Sequence, residues 1–467
     1  MGEMVTDFMK EMLQNPHRHD PSSSLFVGPR GLAVKILSRV EQSDAYLDRL
    51  LEYELGLSGM SDRDRRLLTE LSTGVLRWQA RLDWVLSGFY RGEYARALTV
   101  VRNSLRVALY QIMHLDRIPH SAAVNESVRI VKRLKGNRSA GIVNGVLRAI
   151  IRRLDDITWP SRDQDETRYL SIMLSHPAWM VRRWIHQFGA VQTEALLRAN
   201  NERAPIVIRP NPMRTTSERL RTTLVDHGIR VHPGRLAPDA LVLDGSGSIA
   251  VLQSFRNGHF TVQDEGAILA SRLTGAQPGM TVIDLCSAPG GKTSAIAEMM
   301  RGSGRVIAVD LYESRLERVA ENARRLGFGD MIEQVCGDAR SIELPPADVV
   351  LVDAPCSGLG TLSRKPDIKW KRQHEDLMAM TRLADAILEN GARMVRPGGA
   401  LVYTTCSIDP EENDDVVARF VTEHPEFAFT NSQGVVPTEA IDGPFLRTLP
   451  HRHGIDGAFG AVMRRRE

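Results

Sequence analysis

The amino-acid sequence predicts a multidomain chain: an all-α N-terminal bundle, then a small α+β module, then a C-terminal α/β sheet. Three observations carry this reading. Apolar residues recur at helical spacing through residues 25–155, short β-branched runs surround one helical segment between 205 and 255, and strand-like and helix-like runs alternate from about residue 256 onward. The 467 residues are 42% hydrophobic and 25% charged. That is an ordinary globular composition, and the length suits several domains.

The N-terminal bundle is read over residues 25–158. Between Val27 and Tyr53, Leu32, Ile36, Val40, Leu47, Leu50 and Leu51 fall on one helical stripe. Ser61 or Asp62 supplies an N-cap before the periodic run Leu67, Leu68, Leu71, Val75, Leu76. Further helices are expected at 82–90, 97–115, 121–134 and 139–154. Residues 1–24 are polar, lack the apolar stretch of a signal peptide and read as a disordered leader, with a short helix available to Asp7–Leu13.

Trp159-Pro160, in a polar stretch, marks a boundary. Residues 159–255 then read as linker helices over 168–200 followed by the small module. There the strands Ile206–Asn211, Ile229–Val231 and Ala240–Leu243 flank a helix at 217–227. The last domain, 256–467, supplies strands at Met280–Leu285, Arg305–Asp310, Ile332–Val335, Asp348–Val352 and Ala400–Thr404, with helices between them. Repeated βα units of this kind imply a parallel, Rossmann-like sheet whose ligands lie beyond the carboxyl ends of its strands.

Charge is unevenly distributed. The net formal charge is only +3, but Arg129, Lys132, Arg133, Lys135, Arg138, Arg148, Arg152 and Arg153 follow one another with no acidic residue between them. Such a run either attracts a phosphate backbone or is a solvated helix face. No stretch of eighteen apolar residues suggests a membrane span. The four cysteines, Cys286, Cys336, Cys356 and Cys406, form no CxxC pair. This argues against a disulfide framework or a metal site and fits a reducing cytoplasm.

The chemistry-bearing residues gather at the expected strand ends. The loop Asp284-Leu-Cys286-Ser287-Ala288-Pro289-Gly290-Gly291-Lys292-Thr293 joins the first strand to its helix. It is not a Walker A loop, which would need glycine at 286, and GxGxxG is absent, so a phosphate cradle is disfavoured. Asp310 and Asp338 close the next two strands. An acid there can accept hydrogen bonds from ribose hydroxyls or an adenine amino group. Asp353-Ala-Pro-Cys356-Ser-Gly follows the fourth strand, and Thr404-Thr-Cys406-Ser-Ile-Asp-Pro-Glu-Glu412-Asn413 follows the fifth. A free cysteine is most often a small buried hydrophobe. Two of them at adjacent strand ends, flanked by turn formers, are set apart from that default.

These motifs resemble the RNA cytosine-5 methyltransferases: the Pro-Cys356-Ser and Thr405-Cys406-Ser cysteines, Glu412-Asn413, the glycine loop 286–292 and Arg364-Lys-Pro-Asp-Ile-Lys-Trp370, which matches a family segment near the active site. The N-terminal helices, with Ile142-Val-Asn-Gly-Val-Leu-Arg148, resemble the antiterminator-like (NusB-like) RNA-binding domain. The resemblance implies S-adenosyl-L-methionine as cofactor, bound by residues 286–292 with Asp310, Asp338 and Asp353. It implies Cys406 as the nucleophile that adds to carbon 6 of cytosine and Cys356 as the group that assists product release. Asp353 is also placed to touch the cytosine, and Lys292 is either structural or near the site. The implied substrate is 16S ribosomal RNA or a small-subunit assembly intermediate, for a monomeric enzyme with neither membrane nor metal. Transfer RNA, or a non-catalytic RNA-binding assembly role, are the alternatives. DNA cytosine methyltransferases share the covalent logic but carry a single Pro-Cys motif. Gln263-Asp264-Glu265-Gly266 departs from the family pattern, in which smaller polar residues follow Gln263-Asp264.

Overall fold

The structure is a computed structural model. It describes residues 25–57, 59–244 and 249–467. The leader read over residues 1–24, with its helix at Asp7–Leu13, lies outside the described residues. The chain divides into two compact units: residues 1–201 with 362–371, and residues 202–361 with 372–467.

The first unit is helical. Its helices are α1 (Gly28–Gln42), α2 (Leu47–Leu57), α3 (Asp62–Arg77), α4 (Gln79–Phe89), α5 (Thr99–His114), α6 (His120–Arg152), α7 (Glu166–Met173) and α8 (Ala178–Asn201). Ser61 caps α3, its hydroxyl accepting from the Asp64 amide. Of the stripes predicted from spacing, Ile36, Val40, Leu47, Leu50, Leu51, Leu68, Leu71, Val75 and Leu76 are buried in one core, and Leu32 and Leu67 pack against it partly buried. The two segments expected at 121–134 and 139–154 are the halves of α6, divided where Gly136 leaves helical geometry at φ 79°. A positive φ is readily open only to glycine.

Residues 362–371 leave the sequence of the second unit and pack into this helical one. The fully buried Lys369 Nζ donates to the carbonyls of Arg77 and Ser175 and to Asn201 Oδ1 (2.7 Å). Trp370 Nε1 donates to Leu76 O (2.6 Å), and Asp367 accepts from the Leu47 amide (2.9 Å). Asp367, Lys369 and Trp370 of the Arg364–Trp370 motif thus bond to helix ends of the first unit.

The second unit holds two sheets. The smaller contains β1 (Ile206–Pro210), β2 (Arg230–Pro233), β3 (Leu241–Asp244) and β4 (Phe260–Val262), antiparallel in the order β2-β3-β1-β4, with α9 (Ser217–Asp226) between β1 and β2. The sequence predicts three of these strands; β4, three residues long, is too short to read by alternation.

The larger sheet has nine strands. Five run parallel, in the order β9-β8-β5-β6-β7: β5 (Thr281–Asp284), β6 (Arg305–Asp310), β7 (Ile332–Cys336), β8 (Ala347–Asp353) and β9 (Val395–Thr405). Between these strands run α10 (Glu265–Arg272, before β5), α11 (Gly291–Met299), α12 (Glu313–Leu326) and α13 (His374–Arg393), and α14 (Asp414–Glu423) follows β9. Successive strand residues face opposite sides. Val282, Val306 and Leu351 pack with α10, α11 and α12, whereas Ile283, Ile307, Val350 and Val352 pack with α13 and α14. The sheet is therefore covered on both faces, as predicted. It is not wholly parallel, however. β10 (Phe427–Thr430), β11 (Ile441–Asp442), β12 (Phe445–Thr448) and β13 (Ala458–Arg465) extend it, and β13 runs antiparallel to β9. Among the described residues no helix is long and apolar enough to cross a membrane.

Candidate active site at the carboxyl ends of the parallel strands

The parallel strands deliver the predicted residues to one edge. Asp284, Asp310 and Asp353 are the last residues of β5, β6 and β8, and Cys406 follows β9 directly. β5 continues into the glycine loop, which is held by hydrogen bonds from its own and neighbouring elements. The Ser287 amide and hydroxyl both donate to Val309 O (2.9 and 3.0 Å), and Thr293 Oγ1 donates to Asp284 Oδ2 (2.7 Å). Asn322 and Arg315 of α12 donate to the carbonyls of Pro289 (3.1 Å) and Ala288 (3.3 Å). Gly290 caps α11 at φ 98°, where a Cβ would also lie 3.3 Å from Val319 Cα. Burial and the three carboxylates Asp284, Asp353 and Asp310 push the Cys286 thiol well above its ordinary pKa, so that thiol is poorly reactive.

Lys292, the only cation in the loop, is already engaged. Its Nζ lies 2.7 Å from Asp353 Oδ2, and Thr404 Oγ1 donates to Asp353 Oδ1 (2.9 Å). Burial alone would lower the lysine pKa. The Asp353 charge and hydrogen bond, joined by the Cys406 sulfur, raise it instead, so the ammonium stays charged. Asp310 is 3% exposed; it accepts from the Tyr312 amide (3.3 Å) and faces Arg315 (3.3 Å). Burial pushes its pKa up despite Arg315. Asp338, just beyond β7, is half-turned to a neighbour: its carboxylate is paired with Arg340 in a fork (2.9 Å to Nε) and accepts the Arg340 amide.

The two cysteine loops meet. Cys356 Sγ and Cys406 Sγ are 3.5 Å apart. The hydrogen bond between the two thiols, and burial after it, push the Cys356 thiol well above its ordinary pKa. Gly360 donates its amide to Cys406 O (2.9 Å), and a Cβ there would stand 2.7 Å from that oxygen, so only glycine permits the approach.

Several participants were not singled out from the sequence. Thr404 on Asp353 is one; it sits two residues before Cys406, and a hydroxyl at a strand end beside an acid is a usable signal. Arg209 of β1 is another. It pairs with Glu298 (2.7 Å), contacts Gln263 and donates to Gly291 O in the loop (3.0 Å), across 82 residues with no local signature. The departure at 263–266 has a structural reason. Glu265 is buried and accepts the amides of Leu236 and Ala237 (2.6 and 2.8 Å), while a Cβ on Gly266 would be 3.1 Å from Ala458 Cβ.

Residues 273–464 match the family model described as 16S rRNA methyltransferase RsmB/F. Residues 28–152 match the NusB family, and 176–250 match the ferredoxin-like domain of RsmF/B-like methyltransferases. A probable ribosomal RNA small subunit methyltransferase B of Bacillus subtilis is 37% identical over 449 residues, 94% of this chain and 98% of the relative. The chain belongs to the ribosomal RNA small subunit methyltransferase B family. Another relative, the ribosomal RNA small subunit methyltransferase B of Citrobacter koseri, is 34% identical over 86% of this chain and 91% of its own. Among solved structures, the crystal structure of PH0851 matches with a TM-score of 0.80 at 27% identity, covering 94% of this chain and 99% of that one. A methyltransferase homolog protein from Pyrococcus horikoshii matches with 0.57 at 26% identity, covering 64% and 99%. As a member of the methyltransferase B family the protein is an RNA methyltransferase, with a NusB-like helical domain, a ferredoxin-like module and a mixed-sheet methyltransferase domain.

Proposed function

We propose that the protein transfers a methyl group from S-adenosylmethionine to carbon 5 of a cytosine in 16S ribosomal RNA, through a covalent bond between Cys406 and the base. The observation that carries this reading is the 3.5 Å separation of two thiols at the ligand-binding edge of the sheet. Carbon 5 of cytosine is a weak nucleophile. A Cys406 thiolate adding to carbon 6 forms the C–S bond and pushes the π pair onto carbon 5, which then takes the methyl group. A base must next remove the carbon 5 proton. The pair left behind re-forms the C5–C6 double bond and expels the thiolate. Cys356, beside Cys406, is assigned to that release.

The donor set at the strand ends suits the cofactor. Asp310, buried and carboxylate-bearing, accepts from a ribose diol, and Asp338 from an adenine amino group. Loop 286–292 holds its only cation on Asp353 rather than presenting it to a phosphate, which favours a ligand without one. S-adenosylmethionine supplies an electrophilic methyl on a sulfonium. Residues 286–292 and Asp353 would orient it, and Asp353, with Lys292 and Thr404 fixing both oxygens, is also placed to hold the cytosine. The target base must leave its stack to reach the thiols. The names of the family model and of the relatives support ribosomal over transfer RNA.

The test is trapping on denaturing gels. Cys406→Ala forms no protein–RNA adduct, whereas Cys356→Ala methylates, stalls and accumulates one. The reverse pattern would exchange the roles, and turnover retained in both without adduct would remove covalent catalysis. Mapping 5-methylcytosine in 16S and transfer RNA, with and without the gene, tests the substrate.

A further inference from the structure

We propose that Glu412 is a positioning residue whose single carboxylate ties the two cysteine loops together and so fixes the approach of both thiols to the base. The proposal rests on the covalent reading above. Glu412 is 1% exposed. Its Oε1 accepts the amide of Ser357, the residue after Cys356 (2.6 Å). Its Oε2 accepts the hydroxyls of both Ser357 and Ser407, the residue after Cys406. The two hydroxyl oxygens are 3.3 Å apart, and both serines are fully buried. One carboxylate therefore spans residues 50 apart in sequence, each adjacent to a cysteine.

Glu412 is itself held. Tyr403 Oη, on β9, donates to its carbonyl (2.7 Å), and the next residue, Asn413, accepts from Thr405 Oγ1 (2.6 Å) and donates to Ser407 O (3.0 Å). On the other loop Arg372 Nε donates to Ser357 O (3.1 Å). Each thiol thus has a serine anchor one residue on, and both anchors end on the same carboxylate, sharing its Oε2. A buried carboxylate is costly unless its lone pairs are filled, and three donors fill them here. Burial raises the Glu412 pKa and the serine donors pull it back, as expected for an acceptor of this kind. A carboxylate whose hydrogen bonds go to Ser357 and Ser407 acts through the backbone that carries the thiols, and its charge also bears on the Cys356 thiol.

The experiment uses the full-length chain with 16S RNA that lacks the modification. Single-turnover adduct formation is timed in the Cys356→Ala background, with Glu412, Glu412→Gln or Glu412→Ala. S-adenosylmethionine affinity is measured by calorimetry, and folding by thermal melting. The expected result is a fall in adduct rate of about tenfold for Gln, which keeps the shape and one acceptor, and of a hundredfold or more for Ala, with cofactor affinity and RNA KM within about threefold. If Ala does not fold, the isosteric Gln carries the test. Adduct rates within twofold of the parent in a folded Gln variant overturn the clamp, and so does a matching loss of cofactor affinity, which would mark a general structural role. If the parent Cys356→Ala protein forms no adduct at all, the covalent reading fails. The clamp is then judged on the methyl-transfer kcat of the Glu412 variants with both cysteines intact, by the same limits.

Discussion

Lys292 and Asp353, 61 residues apart in sequence, form an ion pair of 2.7 Å between the glycine loop and the strand that leads to Cys356. The pair joins the cofactor side of the edge to its cysteine side, and the ammonium is stabilised by Cys406 as well as by Asp353. Lys292 and Cys406 therefore lie within electrostatic reach of each other. Lys292→Met should slow the alkylation of Cys406 by iodoacetamide at a fixed pH, followed peptide by peptide by mass spectrometry. It should also cost about 1–2 kcal/mol of stability, because a part-buried carboxylate loses its cation. An unchanged alkylation profile would mean that the lysine charge is spent wholly on Asp353.

Asp310→Ala should weaken S-adenosylmethionine binding by about 1–3 kcal/mol, the usual result of leaving polar groups of a ligand unmatched in a buried site. The fold should persist, since the ion pair lost, to Arg315 at 3.3 Å, is a long one. Calorimetry gives the affinity directly, and an unchanged value takes Asp310 out of the cofactor site.

The eight basic residues read from the sequence are all exposed along α6 and its end. Reversing Arg133, Lys135 and Arg138 to glutamate should weaken RNA binding and lower the slope of log Kd against log salt by about 0.7–0.9 for each phosphate contact removed. Filter binding over a salt series reads both. An identical slope in mutant and wild type leaves these residues as a solvated face.

Asp284 gives a pH signature. Burial raises its pKa to about 7, from the ordinary carboxylate range near 4. The folded state therefore holds a proton that the unfolded chain gives up. The contribution to stability is complete below about pH 4 and is lost as pH rises through about 7. Denaturant unfolding at pH 5.5 and pH 8 should show wild type losing about 2 kcal/mol of stability with rising pH, since only the 1.5 units up to about pH 7 contribute, and Asp284→Asn losing less. Asparagine can keep an oxygen for Thr293 Oγ1. Parallel losses in both proteins would assign the pH dependence elsewhere.

Much of this was legible in the sequence because it is local. The apolar stripe of α3 with a cap at Ser61 or Asp62, the interruption between residues 134 and 139, and the acids Asp310, Asp338 and Asp353 at strand ends each depend on neighbours a few residues away. What was not legible depends on chain direction and long-range approach. β13 carries an apolar run, yet nothing in Ala458–Arg465 states that it will lie antiparallel to β9. That outcome depends on the path taken by residues 406–457. The Ser357–Glu412–Ser407 junction and the hold of Arg209 on Gly291 are equally silent, since each unites segments that only the finished sheet brings together. The Arg364–Trp370 motif was conspicuous as a pattern, but its packing partners, Leu47, Leu76, Arg77 and Ser175, could not be read from it.

The excursion of residues 362–371 bears on how such a chain can be rearranged. Each unit is built from two separate stretches of sequence, so no single cut divides one from the other. A helical fragment ending at Asn201 would lack Lys369 and Trp370, leaving the Leu76, Arg77 and Ser175 carbonyls without the donors that now cap them. A sheet fragment starting at Glu202 would carry those ten residues with nothing to bury them. Chimeras between relatives that exchange the helical part must therefore exchange this insert with it, and a split-gene version of the enzyme has no one junction at which to be split.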